Sequence, residues 1–175
     1  ELAVTSDQIF DLPVFPRHLV VVGGGYIACE FASIFRGLGA RVTQLYRGEQ
    51  VLRGFDDEVR HFVAAEMKKS GVDLRLNADV VDIRTTDEGL RVECEGGSVV
   101  MADAVLYATG RKPNVAGLGL EAVGVAQGAQ GEVIVSETYQ TNVPSICAVG
   151  DVTNRVQLTP VALGEAMVVV DQLFG

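Results

Sequence analysis

The sequence predicts an α/β fold with a central parallel β-sheet that is covered on both faces, and three observations support this prediction. The segment Leu19–Val22 is continuously apolar, as a central strand of such a sheet requires. A glycine-rich turn at Gly23–Ala28 follows it directly and leads into a segment with helical periodicity. A second strand is then predicted at Arg41–Tyr46. We therefore expect the βαβ unit from His18 to Arg53 to organise the domain.

The glycine-rich turn has the G-x-G-x-x-A spacing typical of dinucleotide-binding domains. In that register Gly23 makes the tight turn, Gly25 lets a pyrophosphate approach the backbone, and Ala28 lets the helix pack closely on the strand. Free N–H groups at the start of the helix favour a phosphate. The helix is predicted from residue 26 to residue 38, with a buried face formed by Ile27, Phe31, Ile34, Phe35 and Leu38.

Two arginines follow the second strand, where the ribose of a bound nucleotide is expected. In NAD-binding domains an acidic residue stands there, about 20 residues beyond the glycines. This chain has Arg47 instead, with Arg53 shortly after it. Because paired guanidinium groups suit a dianionic group, the sequence favours the 2′-phosphate of NADP. Two alternatives stay open: the arginines are ordinary solvated loop charges, or Glu49 supports NAD binding.

After residue 53, the sequence predicts one more helix and five more strands before residue 113. Asp56 is a suitable N-cap for a second helix that ends before Gly71. Its predicted buried stripe consists of Val59, Phe62, Val63 and Met67. A third parallel strand is predicted at 72–76, followed by an antiparallel meander at 80–84, 90–94 and 98–101.

The last parallel strand is predicted at 103–109. Parallel strands share the edge at which they end, so we expect Val22, Tyr46 and Ala108 to lie together there. Gly110 follows the last strand and allows the backbone to approach a ligand.

From residue 113 onward the sequence is rich in loops. Short strands are predicted at 132–136 and 145–149, followed by a turn at Gly150 and Asp151. A helix is predicted from Pro160 to Phe174, with Thr159 as its N-cap. At the other end of the chain, residues 1–16 carry two prolines and are predicted to be a lead-in segment.

Composition excludes several classes of function. The net charge of −9 argues against nucleic acid or an anionic membrane as a partner, since both need a basic surface. No apolar run approaches the roughly 18 residues of a membrane span, and no metal site is predicted. Cys29, Cys94 and Cys147 form no closely spaced pair, which favours buried, reduced thiols and a cytoplasmic protein.

The segments GGGYIACEFASIFRGLGA and YRGEQVLRGFDDEVR closely resemble the NADPH-binding domain of glutathione reductases, which are FAD-dependent pyridine nucleotide-disulfide oxidoreductases. The resemblance continues through ATGRKPN, ICAVGDV and LTPVA and covers nearly the whole chain. It implies a Rossmann-like, three-layer FAD/NAD(P)-binding domain at 1–112, in which a β-meander replaces a crossover helix. Residues 113–175 would form part of a second, FAD-binding central domain.

The resemblance also implies roles for individual residues. NADP would be bound by Gly23, Gly25, Tyr26, Ile27, Ala28, Glu30, Arg47, Arg53 and Gly110. Tyr26 resembles the gate over the flavin, and Glu30 resembles a carboxylate that contacts the nicotinamide amide. In the full-length protein FAD would be contacted by Asp151, Leu158 and Thr159. On the motifs alone, a helix-start aromatic is the favoured interpretation of Tyr26 and a solvated carboxylate that of Glu30. For Asp151, an aspartate that merely ends a strand is as good an interpretation as an FAD contact.

Members of this family carry a first FAD-binding motif and a redox-active cysteine pair upstream, and a dimer-forming domain downstream. This chain has neither and starts without Met, so we expect an internal part of a longer, homodimeric protein. That protein would pass hydride from NADPH through FAD and the cysteine pair to glutathione disulfide, whereas the isolated fragment would be inactive.

Alternative parents are trypanothione, dihydrolipoamide and mercuric reductases, and a module that only binds nucleotide is a further alternative. Trypanothione reductases tend to carry Phe at the position of Tyr26 and a longer segment before the second strand. Dihydrolipoamide dehydrogenases usually carry an acidic residue at the position of Arg47.

Overall fold

The computed structural model describes residues 2–175, which form two compact units. The first unit ends at Gly110, and the second runs from Arg111 to Gly175. The assignment of NADP to one and FAD to the other stays a prediction.

The first unit is built on a four-stranded sheet. In chain order its elements are β1 (His18–Val22), α1 (Tyr26–Gly37), β2 (Arg41–Tyr46), α2 (Asp57–Lys69), β3 (Asp73–Leu76), the meander strands β4 to β6, and β7 (Ala104–Tyr107). The strand order is β3-β2-β1-β7, and all neighbouring pairs are parallel. This is the α/β fold that the sequence predicted.

The two faces of this sheet are covered differently. On one face the sheet packs against α1 and α2, and on the other against β4 (Val80–Thr86), β5 (Gly89–Cys94) and β6 (Val99–Ala102). The antiparallel meander in place of a crossover helix was therefore predicted correctly. Because both faces are covered, the middle residues of the inner strands are buried, including Leu19, Val20, Val21, Val42 and Leu45.

The buried face of α1 differs from the predicted one. Ile34 and Leu38 are exposed, by 52% and 66%. Small side chains allow a helix to approach a sheet closely, and the face against the sheet consists of Ala28, Cys29, Ala32 and Phe35. The prediction gave weight to large apolar residues and so selected a neighbouring face.

The second helix, α2, shows a similar difference. Asp56 caps it as predicted, because its carboxylate accepts hydrogen bonds from the N–H groups of Glu58 and Val59. Of the predicted stripe, Met67 is buried, but Val59 and Phe62 are exposed by 46% and 66%. This helix packs beside the edge strand β3, where the sheet offers less surface to cover.

The lead-in segment is part of the first unit. Val4 extends the sheet beyond β7 by a parallel bridge to Leu106, and both backbone groups of Val4 are hydrogen-bonded there. Ile9, in a short 3-10 helix at Gln8–Asp11, is buried in the core. Residues 2–16 therefore contribute to the sheet and the core of the unit.

The second unit contains a 3-10 helix at Gly150–Thr153 and one long helix, α3 (Thr159–Phe174). The strands predicted at 132–136 and 145–149 were wrong. Each segment makes only one isolated bridge, Gln127 to Val133 and Gln140 to Cys147. Backbone groups here bond across irregular loops and to side chains, so no regular ladder forms. The N–H of Val133 donates to the carbonyl of Val152, for example, and the side-chain amide of Gln140 donates to the carbonyls of Val143 and Ile146.

The start of α3 also differs from the prediction. The N-cap is Leu158, and Thr159 is already helical, with no side chain capping the helix in the described chain. Proline occupies the first turn, where its missing N–H group is not needed. The predicted N-cap role of Thr159 was therefore wrong by one position.

Candidate functional site

The candidate site lies at the sheet edge where the parallel strands end. The register pairs Val22 of β1 with Leu45 and Tyr107 on its two neighbours. Ala108 follows directly and donates its N–H to the carbonyl of Val22 at 2.8 Å. The strand ends thus meet at one edge, as the sequence predicted, and in open parallel sheets this edge binds ligands.

Gly23 turns the chain from β1 into the glycine-rich turn. Its φ is +141°, and a β-carbon there would lie 2.2 Å from the carbonyl oxygen of Ala108. Its N–H donates to the carbonyl of Leu45 at 2.9 Å. The backbone of two neighbouring strands therefore surrounds this position, and no side chain fits.

Gly25 is in a different environment. It is exposed and is the N-cap of α1, and a β-carbon there would meet no atom within 4 Å. In the described chain no side chain caps this helix, so its first N–H groups face the turn without a side-chain acceptor. The next motif position, Ala28, is fully buried, and its methyl group lies close to Gly23. Packing explains two motif positions, whereas an approaching ligand group would explain Gly25.

A buried amide supports the turn from below. Gln44 of β2 is fully buried, and its Nε2 donates to the carbonyl of Gly23 at 2.9 Å. Among residues 2–175, its Oε1 has no hydrogen-bond partner. The same amide contacts the thiol of Cys29 at 3.7 Å, and burial raises the pKa of that thiol. Sequence reasoning missed Gln44, although a polar residue inside an apolar strand was a visible signal.

The ring of Tyr46 packs against two glycines. A β-carbon at Gly24 would lie 2.5 Å from this ring, and one at Gly48 would lie 2.6 Å from it. Tyr46 is half-buried and ends β2. The aromatic ring therefore connects the glycine-rich turn with the loop that follows β2.

The predicted phosphate-binding arginines stand on that loop, which we call the arginine loop and define as residues 47–55. Arg47 and Arg53 are both exposed. Among residues 2–175, neither side chain is engaged in an ion pair. Glu49, the residue that would favour NAD, is also exposed. Both guanidinium groups are therefore available to an anion.

The arginine loop is joined to the glycine-rich turn through Leu52. The N–H of Leu52 donates to the carbonyl of Gly24 at 2.6 Å. Leu52 is only 7% exposed and has a φ of +55°, in the left-handed region that residues with a β-carbon avoid. Such a conformation persists only where surrounding contacts impose it. The two segments of the candidate site therefore have a fixed relation to each other.

The other predicted NADP residues surround the start of α1. Tyr26 is 39% exposed, Glu30 is exposed and Ile27 is half-buried. Gly110 has a φ of +147° and no atom within 4 Å of an added β-carbon. The roles of these residues toward a nucleotide or flavin stay predictions.

The second unit carries the residues predicted to contact FAD. Asp151 is exposed in the 3-10 helix, and its carboxylate lies 3.6 Å from the guanidinium of Arg111. Leu158 and Thr159 are exposed at the start of α3. Glu165, which sequence reasoning missed, is 5% exposed and accepts the N–H of Gly150 at 2.7 Å. This buried carboxylate attaches the turn that carries Asp151 to α3.

Residues 2–175 contain no group of three or more histidine, cysteine, aspartate or glutamate side chains able to hold a metal ion. None of the helices in this range combines the length and apolar character that crossing a membrane requires.

Comparison with known proteins gives one family and consistent relatives. Residues 2–166 match the family model described as pyridine nucleotide-disulphide oxidoreductase. The glutathione reductase of Burkholderia cepacia is 54% identical over 99% of this chain, and the trypanothione reductase of Trypanosoma congolense is 40% identical over all of it. The chain spans 39% and 36% of the lengths of these two relatives.

A solved structure agrees with these sequence relatives. The HOCl-induced flavoprotein disulfide reductase of Escherichia coli, determined as a Cu(II) complex, superimposes with a TM-score of 0.94 at 34% identity. The match covers 99% of this chain and 39% of that protein.

Proposed function

The chain belongs to the pyridine nucleotide-disulphide oxidoreductase family, and from this premise we propose that it is the NADPH-binding module of a flavin-dependent glutathione-disulfide reductase. The first unit binds the nucleotide, and the second contributes to the FAD-binding domain of the whole protein. The observation that supports NADP over NAD is the pair of exposed arginines, Arg47 and Arg53, on a loop bonded to the glycine-rich turn.

The glycine-rich turn has the features that a pyrophosphate needs. Gly25 leaves open space above the backbone, and the uncapped start of α1 directs N–H groups and the positive end of its dipole there. We propose that these groups bind the pyrophosphate and that Arg47 and Arg53 bind the 2′-phosphate. NADPH supplies hydride when bound; the described side chains bind and orient it.

Arg47 tests the choice of nucleotide. We expect NADPH to bind about two orders of magnitude more tightly than NADH, because each charge-assisted hydrogen bond contributes roughly 1.5–3 kcal/mol before a discount for exposure. Isothermal titration calorimetry measures both affinities. The variant Arg47→Glu is expected to lose most of the preference.

A matched control is available on the same strand. Arg41 begins β2 and is exposed at the opposite edge of the sheet. Arg41→Glu changes the net charge as Arg47→Glu does but leaves the candidate site intact, so the preference for NADPH should persist. Equal affinities of the unaltered chain for NADPH and NADH would contradict the proposal.

Glutathione disulfide is the substrate that we propose for the whole protein. The glutathione reductase of Burkholderia cepacia shares 54% identity with this chain, against 40% for the trypanothione reductase. The arginine at position 47 argues further against a dihydrolipoamide type. Reduction of trypanothione disulfide by the whole protein, with none of glutathione disulfide, would favour the alternative parent.

Several residues would act only in the whole protein. We propose that Tyr26 covers the flavin until nicotinamide displaces it, and that Glu30 contacts the nicotinamide amide. Asp151, Leu158 and Thr159 are proposed FAD contacts, since they are exposed around the start of α3. A homodimeric, cytoplasmic protein is part of the same proposal.

The chain alone is proposed to bind nucleotide without catalysis. Cys29, Cys94 and Cys147 are free thiols, and no two of them have the close spacing of a redox-active pair. NADPH oxidation by the 175-residue chain that depends on glutathione disulfide would refute this. We also expect the chain alone to hold FAD weakly or not at all, and a yellow chain that retains FAD through gel filtration would refute that expectation.

A further inference from the structure

Arg60 of α2 makes three contacts with its guanidinium group, and two of them are with the backbone of the arginine loop. Nε donates to the carbonyl of Val51 at 2.9 Å, and Nη2 lies 3.3 Å from the carbonyl of Gln50. Nη1 donates to the carboxylate of Asp57 at 2.7 Å. The side chain is 21% exposed. This guanidinium therefore spans two consecutive peptide groups of the loop that bears Arg47 and Arg53.

The same loop is bound from its other side. Leu52 N–H donates to the carbonyl of Gly24, and Val51 and Leu52 are both buried. At the start of the loop, the carbonyl of Gly48 accepts the N–H of Asn77 at 3.0 Å. Three consecutive residues, 50–52, are thus held between α2 and the glycine-rich turn. The left-handed backbone at Leu52 requires such external contacts, because the residue does not favour it by itself.

We propose that Arg60 is a positioning residue for nucleotide selection: it holds residues 50–52 so that Arg47 and Arg53 present their guanidinium groups together to a 2′-phosphate. The inference rests on the proposed function of this site. Arg60 does not serve as a phosphate ligand itself, since its N–H groups are directed to two carbonyls and a carboxylate. Its role depends on its planar fork, which a lysine ammonium cannot reproduce.

Two substitutions separate positioning from charge. Arg60→Lys keeps the positive charge but loses the fork, and Arg60→Gln loses both. Positioning predicts that each variant binds NADPH about tenfold more weakly, because selectivity depends on sub-ångström placement of the binding groups. The affinity for NADH should change less than about twofold, since it lacks the 2′-phosphate. Isothermal titration calorimetry with NADPH and NADH measures both.

Asp57→Asn is the matched control. It removes the charge that pairs with Nη1 but leaves both contacts between Arg60 and the loop carbonyls. The ratio of NADPH to NADH affinity should therefore remain that of the unaltered chain. Thermal unfolding of all variants identifies any that fail to fold, and Arg60→Lys is the conservative variant if Arg60→Gln does.

Three outcomes overturn the inference. If Arg60→Lys binds NADPH normally and Arg60→Gln does not, the charge of Arg60 matters rather than its contacts. If the affinities for NADPH and NADH fall equally, Arg60 acts only through the stability of the fold. Unchanged affinities in both variants exclude any role. Equal affinities of the unaltered chain for NADPH and NADH would instead refute the proposed function itself, and that result is obtained before any variant is made.

Discussion

The two units of the chain hold their structure by different means. In the first, burial of apolar strands dominates: the middle residues of the inner strands β1 and β2 are buried, and one apolar cluster lies on each face of the sheet. In the second, the buried apolar side chains among residues 111–175 are Val125 and Val133. Three polar residues are buried beside them: Thr141, Thr153 and Glu165. Thr141 and Thr153 donate hydrogen bonds to backbone carbonyls, and Glu165 accepts one from a backbone N–H, so these side chains hold the loops of a unit that has no regular sheet among its described residues.

This difference has a thermodynamic consequence. Burial of apolar area is the main stabilising contribution in folding, whereas hydrogen bonds add little net free energy but are costly to break when buried. Substitutions in the first unit should therefore be most harmful where they disturb close packing. In the second unit they should be most harmful where they remove a polar partner.

The largest effect is expected at Gly23. Gly23→Ala places a methyl group 2.2 Å from the carbonyl oxygen of Ala108 at a φ of +141°, which should destabilise the first unit by about 3 kcal/mol or more. Gly124→Ala is the control in the second unit: its φ is +73° but its surroundings are open, so about 1 kcal/mol is expected. Urea unfolding, monitored by hydrogen exchange in each unit, measures the loss of stability in both variants. Equal costs would contradict the contrast in packing.

A smaller loss is expected for truncation of a buried leucine. Leu45 is fully buried, so Leu45→Ala should cost about 3 kcal/mol in the free energy of unfolding. Leu163 on α3 is 64% exposed, and Leu163→Ala should change the free energy of unfolding by less than about 0.5 kcal/mol. The same urea titration compares them. A cost at Leu163 as large as that at Leu45 would show that α3 is buried in solution.

In the second unit, substitution of Glu165 should cause the largest loss of stability. Glu165→Ala leaves the buried N–H of Gly150 without its acceptor, which should cost about 1–3 kcal/mol and act on the second unit alone. Glu137→Ala removes an exposed carboxylate of the same unit and serves as the control. Hydrogen exchange at Gly150 and its neighbours gives the readout. Loss of hydrogen-exchange protection in the first unit instead would contradict the expectation that Glu165 stabilises the second unit alone.

The smallest effect concerns pH. Burial and the nearby charge of Arg41 lower the pKa of His18 below its usual 6.5. Because this pKa is lowered on folding, the contribution of His18 to stability is fully present above the pKa of the unfolded chain. It decreases as pH falls through the pKa of the folded chain. Both histidines lie in the first unit. Between about pH 7.5 and pH 5.5 only that unit should weaken, and His18→Gln should remove the trend. A parallel loss in the second unit would have another cause.

The sequence predicted the first unit well because its signals are local. Strand order along the chain, the glycine spacing and the cap at Asp56 all depend on residues within a few positions of one another. The helix faces were predicted less well, because the contact of α1 with the sheet is made by alanine and cysteine, which contribute little to an apolar pattern. In the second unit the apolar segments are extended but unpaired, and periodicity does not distinguish these states.

The contacts of two residues of the candidate site could not be predicted from the sequence, although the position of Gln44 inside an apolar strand was a visible signal. Gln44 and Arg60 bind backbone carbonyls 21 and 9 positions away in the chain. A carbonyl is present at every position, so no residue type marks the acceptor. Only the fold shows which peptide groups these side chains reach.

The contact of Tyr46 with Gly24 and Gly48 has a consequence for protein engineering. Because the ring occupies the space of a β-carbon at both glycines, packing couples the three positions: a larger residue at Gly24 requires a smaller one at Tyr46. Libraries designed to alter nucleotide preference by varying the end of the second strand, next to Arg47, would disturb this packing. In this chain such libraries should vary the glycine-rich turn at the same time, since substitutions at either segment alone would be selected against for packing rather than for binding.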